Sequence, residues 1–185
     1  NTHWDEGHHE VGLYRDGQMV GYARETGGGR GGWDVAGDDA YIYAGLAVDY
    51  TFKQRGVARY THDGRPAPWP GAKGGNRLPI TSGKTQGMAC HEGELFVSDP
   101  GGKRIVVVRT EDMAIVREIG LERPGHIAVD PHDGTLWVLL QRGKEDTAST
   151  IVHLHRDGTR LPERIVDLVQ AEDLAFDPVS GHLAV

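Results

Sequence analysis

The sequence predicts an all-β fold built from a recurring unit of antiparallel strands. Short β-branched or aromatic runs, such as Tyr41–Val48 and 135–140, recur along the 185 residues and are separated by Gly, Asp and Pro turn residues. Apolar residues at helical spacing are rare, and we expect only one short helical turn, at 165–170. Segments of similar pattern also repeat, which indicates a repeat architecture.

The repeat is a short apolar strand, a turn with Gly or Asp, and a second strand. Its first strands begin at Trp33, Gly87, His126 and Asp173, and a second hairpin follows each of the first three. A period of roughly 40 to 50 residues is that of a β-propeller blade, in which strands A to D run antiparallel from the axis outward. The chain is then one domain with about four blades' worth of four-stranded sheets. Its predicted parts are the end of a blade (1–26), three blades (33–70, 87–120 and 125–168) and the start of another (173–185).

Both predicted end pieces are incomplete blades. We favour part of a six- or seven-bladed ring, because both ends fall inside a blade. The alternative is a four-bladed ring that is closed by pairing the two end pieces.

Composition excludes several classes of function. The chain has 20 Lys and Arg against 27 Asp and Glu, a net charge of −7, so it lacks the basic surface of a nucleic-acid-binding protein. Its one cysteine, Cys90, cannot form an internal disulfide or a multi-cysteine zinc site, and its apolar neighbours favour buried packing. No apolar run approaches the roughly 18 residues of a membrane-spanning helix.

Loop lengths predict which side of the domain carries function. The D–A and B–C connections of a propeller share one side, here called the near face, and the A–B and C–D turns share the far face. The near-face connections are the longer and more varied ones in this sequence. Because function commonly lies on long loops held by a rigid scaffold, we expect a carbohydrate or protein ligand on the near face.

Polar residues stand at the start of strand A in several repeats, where the near face opens onto the central channel. They are Trp33, Gln86, His126, Glu172 and Asp173, with Asp34 one place further along its strand. Asp34, Glu172 and Asp173 are candidate ligands of a divalent cation such as Ca²⁺. His126 is a candidate general base, and Trp33 and Gln86 are candidate substrate contacts. The alternative is that these groups only hydrate a water-filled channel.

The densest group of titratable residues lies at 3–10, interpreted as a B–C loop on the same face as His126. It contains three histidines, three carboxylates and Trp4. His8 or His9 could act as a general base, with Trp4 as a stacking platform for a sugar. The alternative is a solvated surface loop without a binding role.

A proline-rich segment follows the second blade. It spans 66–79 and places Trp69 among four prolines. We expect this insertion to lean over the near face as a rim, with Trp69 either contacting the substrate or closing the edge of the blade.

The blade at 87–120 carries a more specific motif. Segment 95–99 reads LFVSD and segment 104–107 reads RIVV, which resembles an NHL-type blade of the kind also seen in the six-bladed gluconolactonase-like (SMP-30-like) propeller superfamily. The motif pairs Asp99 with Arg104 as a structural link. The next blade, at 125–168, departs from this motif, with Gln141 and Arg142 where the Asp would be. The resemblance implies a Ca²⁺-type ion at the channel mouth and an extracellular or periplasmic location.

Two functional hypotheses follow from these observations. The first is an NHL-like binding module whose near face binds carbohydrate or another protein, which the lack of a nucleophile motif favours. The second is a metal-dependent sugar lactonase, or a polysaccharide lyase or hydrolase. In that enzyme the cation polarises the substrate and His126, or a histidine of 3–10, serves as the base.

Overall fold

A computed structural model describes most of the chain. It covers residues 2–5, 8–15, 18–25, 34–48, 54–72, 75–80, 85, 87–143, 148–169, 171–177 and 180–185, of which 2–25, 46–48 and 54–55 are described by their backbone. The described residues contain no helix with the length and hydropathy that crossing a membrane requires.

The described residues form seventeen strands in five antiparallel sheets that follow one another along the chain. The first sheet contains β1 (Thr2–Asp5), β2 (His8–Arg15) and β3 (Gln18–Glu25), and the second contains β4 (Val35–Gly37), β5 (Tyr41–Val48), β6 (Gln54–Thr61) and β7 (Arg77–Leu78). The third contains β8 (Met88–His91), β9 (Glu94–Asp99), β10 (Arg104–Arg109) and β11 (Ile115–Gly120). The fourth contains β12 (Pro124–Val129), β13 (Leu136–Leu140), β14 (Ser149–Leu154) and β15 (Arg160–Leu168), and the fifth contains β16 (Ala175–Phe176) and β17 (Leu183–Ala184).

The sheets are the blades of a β-propeller. Strands pair in sequence order within each sheet, so every blade is a meander. The first strands of successive blades contact one another, β4 with β8, β8 with β12, and β12 with β16, which places them on the inside of the arc. The predicted all-β fold and its four-stranded repeat are confirmed.

The core lies between blades rather than within one sheet. Because successive strand residues point to opposite faces, β9 and β10 pack against both neighbouring blades and are apolar at nearly every position. Towards the fourth blade, Phe96 and Ile105 meet Leu136, and towards the second, Leu95 meets Tyr43. This two-sided burial explains the LFV and IVV segments.

The predicted link between Asp99 and Arg104 is confirmed. Arg104 Nε donates to Asp99 Oδ2 at 3.1 Å, and the backbone N–H of Gly102 donates to Asp99 Oδ1 at 3.2 Å. Asp99 is fully buried, so these donors replace the water that its carboxylate loses. The packing role predicted for Cys90 is also confirmed, because it lies against the second core cluster and burial raises the pKa of its thiol.

Two local predictions are wrong. Within the predicted loop at 3–10, residues 3–5 and 8–10 are strand: Trp4 pairs with His9, and Asp5 with His8, across β1 and β2. Strand pairing is made by backbone hydrogen bonds, so these residues pair although their sequence does not alternate between apolar and polar side chains. The expected helical turn at 165–170 is strand for most of its length, because Ile151 pairs with Ile165 in the β14–β15 ladder.

The proline-rich segment belongs to the far end of its blade. Pro66 bridges to Tyr60 directly after the C–D turn, and β7 then pairs with β6, with Leu78 opposite Val57. The insertion therefore interrupts strand D near the far face. The near-face rim expected at 66–79 is wrong.

A buried arginine holds this insertion in place. Arg59 is 2% exposed and donates to the carbonyls of Ala67 at 3.0 Å and Pro68 at 2.8 Å. It also donates to Thr110 O of the third blade at 2.9 Å, and its guanidinium lies 5.5 Å from the ring centroid of Trp69. A buried guanidinium without acceptors is unfavourable. The insertion packs against Arg59 because its carbonyl groups provide those acceptors.

The inner strands of the third and fourth blades begin in backbone contact. A Cβ atom at Gly87 would lie 2.3 Å from the carbonyl oxygen of Gly125 and 2.6 Å from the Cα of His126. No side chain fits that space, so Gly87 is required for the two strands to start this close together.

We predict that Gly87→Ala destabilises the protein by about 1 to 3 kcal/mol, because the methyl group must push two backbones apart. Gly120→Ala is the matched control, since a Cβ there would meet nothing within 4 Å. Urea unfolding followed by tryptophan fluorescence measures both variants. Equal midpoints for the two variants would show that the contact between β8 and β12 is not tight in solution.

Candidate functional site

Three titratable side chains meet at the near-face ends of the inner strands. Asp34 directly precedes β4, His126 lies at the start of β12, and Asp173 lies just before β16. These strands belong to the second, fourth and fifth blades, so the three groups come from three different blades. They line an open cleft of about 380 Å³, whose apolar walls include Ile127, Leu174 and Phe176.

His126 and Asp173 form a direct pair. The distance between His126 Nδ1 and Asp173 Oδ1 is 2.9 Å, and the same carboxylate oxygen accepts a hydrogen bond from the backbone N–H of Leu174 at 2.7 Å. An Nδ1–H that is donated to the carboxylate sets the ring orientation and leaves Nε2 as the nitrogen with a free lone pair. His126 is thereby positioned as a hydrogen-bond or proton acceptor.

Asp34 is held by the backbone of two blades. Its Oδ1 accepts from the N–H of Val35 at 2.8 Å, and its Oδ2 accepts from the N–H of Met88 across the boundary between β4 and β8. Burial raises the pKa of Asp34 from the usual 3.8 to about 6, although the two backbone N–H groups and the nearby His126 act in the opposite direction. This carboxyl group therefore reaches the midpoint of its titration near pH 6 and is mostly ionised at neutral pH.

The repeats align differently in the structure than in the sequence, by one residue at Asp34. The sequence alignment matched Trp33 with Gly87 and His126, whereas the backbone matches Asp34 with Gly87. The carbonyl of Asp34 accepts from Gly45 N at 3.0 Å just as that of Gly87 accepts from Ser98 N at 2.9 Å. The A–B turn of the second blade differs in length from the others, so the residue types alone did not reveal the shift.

The other predicted site residues are distributed differently. Glu172 lines a second cavity, of about 210 Å³, which shares His126 with the cleft. Trp69 packs at the far face beside Arg59. Trp33 and Gln86 lie outside the described residues, while Trp4, His8 and His9 are described by their backbone alone, in β1 and β2.

Two residues of the second cavity were not predicted as site residues. Gln141 and Arg142 follow β13 on the near face and line this cavity with Glu172 and Ser149. The sequence did mark these two residues, because they replace the Asp of the blade motif, but that replacement was interpreted as an irregular blade and not as a binding position.

Among the described residues, Asp34 and Asp173 line one cavity and Glu172 lines another, and their role as cation ligands remains a prediction. In this part of the chain, no three His, Cys, Asp or Glu side chains are arranged to hold a metal ion. Asp34 and Asp173 already accept backbone hydrogen bonds, and Glu172 lines the other cavity.

The raised pKa of Asp34 predicts a pH-dependent stability difference between the wild type and Asp34→Asn. The folded state binds more protons than the unfolded state between pH 3.8 and about 6, so the contribution of Asp34 to the free energy of unfolding falls as pH rises through this window. The wild type should lose about 3 kcal/mol relative to the variant between pH 3.5 and 7.5. Urea unfolding across this range measures it, with Asp39→Asn as the control for loss of an exposed acid. A constant difference between the wild type and Asp34→Asn would contradict the prediction.

The comparisons with known proteins bear on the fold. No family model matches the sequence, and no curated protein matches it significantly. Among solved structures, a chain of a nidogen/laminin complex has a TM-score of 0.60 and 20% identity, over 96% of this chain and 65% of that one. The glutaminyl cyclase of Myxococcus xanthus has a TM-score of 0.56 and 15% identity, over 95% and 75%. A glucose dehydrogenase has a TM-score of 0.55 and 14% identity, over 95% and 71%.

These neighbours are β-propeller proteins. The chain spans 65% to 75% of the length of the three structures, so their activities belong to longer proteins. At such low identity the likeness shows the fold alone. Together with the meander sheets and the adjoining inner strands, it establishes that this chain carries a β-propeller fold.

Proposed function

We propose that the near-face cleft binds a carbohydrate. The observation that supports it is the convergence of Asp34, His126 and Asp173 from three blades onto one open cleft. Carboxylate oxygens and an imidazole nitrogen are suited to the neighbouring hydroxyl groups of a sugar, which both donate and accept hydrogen bonds.

The walls and size of the cleft support the same ligand class. Phe176, which is partly exposed, provides apolar surface for the C–H face of a sugar ring beside the polar groups. A concave volume of about 380 Å³ suits a small molecule better than a flat protein interface. A protein ligand on the near face is the alternative, and one neighbour in fold comes from a nidogen/laminin complex.

Asp173→Asn should weaken binding of a glycoside about tenfold, because it removes a charged acceptor and loosens the orientation of His126. The measurement is titration of the chain with a panel of methyl glycosides, followed by calorimetry or NMR. Asp39→Asn, an exposed acid in an A–B turn of the far face, is the matched control and should bind as the wild type does. The proposal fails if no glycoside binds, or if Asp173→Asn and Asp39→Asn bind equally well.

The pairing of His126 with Asp173 favours a second candidate function, acid–base catalysis on a bound sugar derivative. The pair leaves His126 Nε2 to accept a proton, while Asp34 can exist as a neutral acid in the same cleft. Lactone hydrolysis and elimination from a uronate are reactions that such a pair could serve. The catalytic roles predicted for His8 and His9 remain predictions.

His126→Asn should reduce lactone or uronate turnover at least a hundredfold if the cleft is catalytic, because proton transfer by a positioned base contributes that much or more. His132→Asn, an exposed histidine of a far-face turn, is the control. Turnover that persists in His126→Asn would exclude this mechanism. If the wild type binds sugar but shows no turnover, the cleft has a binding function and no catalytic one.

A further inference from the structure

The second cavity adjoins the near-face cleft at His126 and differs from it in chemistry. Its volume is about 210 Å³, and His126 lines both spaces. The cleft has two carboxylates, Asp34 and Asp173, whereas the second cavity has the side chains of Gln141 and Arg142. A ligand that lies across His126 therefore meets two carboxylates at one end and, at the other, the donors of Gln141 and Arg142 beside the carboxylate of Glu172.

Gln141 is held beside His126 by the backbone. It directly follows β13, and its N–H donates to the carbonyl of Arg123 at 2.8 Å. A Cβ atom at Gly125 would lie 3.4 Å from the Cγ of Gln141 and 2.5 Å from the carbonyl of Leu139, so the bare backbone at Gly125 permits this close approach.

The donors of the second cavity lack acceptors within the described part of the chain. The Nε2 of Gln141 is buried there and has no hydrogen-bond partner. Arg142 is exposed and forms no ion pair with any described residue. A buried amide donor without an acceptor is unfavourable, and a ligand oxygen would satisfy it.

We propose that the ligand of the near face is a sugar acid, whose carboxylate is bound by Arg142 and Gln141. This inference rests on the proposed carbohydrate site and names its substrate class. The hydroxyl groups would lie over Asp34 and Asp173, and the carboxylate would lie against the guanidinium and the amide. Glu172 also lines this cavity, and because its side chain is exposed, solvent and salt screen its repulsion of the ligand carboxylate.

Two glycosides that differ only at C6 test the proposal. Methyl β-glucuronide carries a carboxylate where methyl β-glucoside carries a hydroxymethyl group. The wild type should bind the glucuronide about tenfold more tightly than the glucoside, and this preference should decrease as salt is added. Calorimetric or NMR titration measures both affinities.

Arg142→Gln should reduce the preference to less than about twofold by weakening glucuronide binding, and a urea-unfolding midpoint equal to that of the wild type shows that the variant is folded. Gln141→Leu should lower glucuronide affinity about fivefold, since it removes one donor and keeps a similar volume. Arg164→Gln, an exposed arginine on β15 of the same blade and outside both cavities, should retain the full preference.

The outcomes separate the two proposals. Equal affinity of the wild type for both glycosides, or a preference that survives Arg142→Gln, overturns the sugar-acid inference while the carbohydrate site stands. Failure of every glycoside to bind overturns the carbohydrate site and this inference with it.

Discussion

The near-face site depends on the contact between the inner strands of neighbouring blades. Gly87 allows β8 to begin against the backbone of Gly125 and His126, and a methyl group in that position would overlap both. At the adjacent boundary, the N–H of Met88 reaches the carboxylate of Asp34. These short spacings bring side chains from separate blades within electrostatic reach of each other, as the influence of His126 and Asp173 on the pKa of Asp34 shows. A wider arc would leave the same residues as isolated surface groups.

The two faces of the domain are built differently. At the far face, Arg117 binds Glu94 through two nitrogens at 2.5 and 2.8 Å, and Arg156 of the fourth blade donates to Glu92 and Glu94 of the third at 2.6 and 2.9 Å. Arg59 joins the second blade to the third in a similar way through backbone carbonyls. Polar contacts thus connect the blades at the far face, where the turns are short. The near face keeps polar groups in open cavities instead, which is the arrangement expected of a site that exchanges water for a ligand.

Asp34 illustrates the conflict between stability and function in this cleft. Its carboxyl group is held where burial disfavours the charge, and its raised pKa records that cost. An apolar residue at the same position would avoid the cost but would remove an acceptor from the cleft. The fold itself carries no preference among ligands, since propellers serve many functions. The argument for a sugar, and for a sugar acid, therefore rests on the groups in the two cavities.

The sequence by itself determined the all-β repeat, the link between Asp99 and Arg104, and the position of His126 and Asp173 at the near-face ends of inner strands. The repeat and the strand positions follow from local signals, namely turn residues, strand patterns and repeat spacing, whereas the link between Asp99 and Arg104 was expected from the resemblance to an NHL-type blade. Only the tertiary structure decided that Asp34 is in register with His126, that Trp69 packs beside Arg59 at the far face, and that Gln141 and Arg142 line a cavity with Glu172. These outcomes depend on turn lengths and on packing between blades that are distant in sequence. The pattern of one segment does not predict such contacts, because each contact forms between residues of segments that are far apart in the sequence.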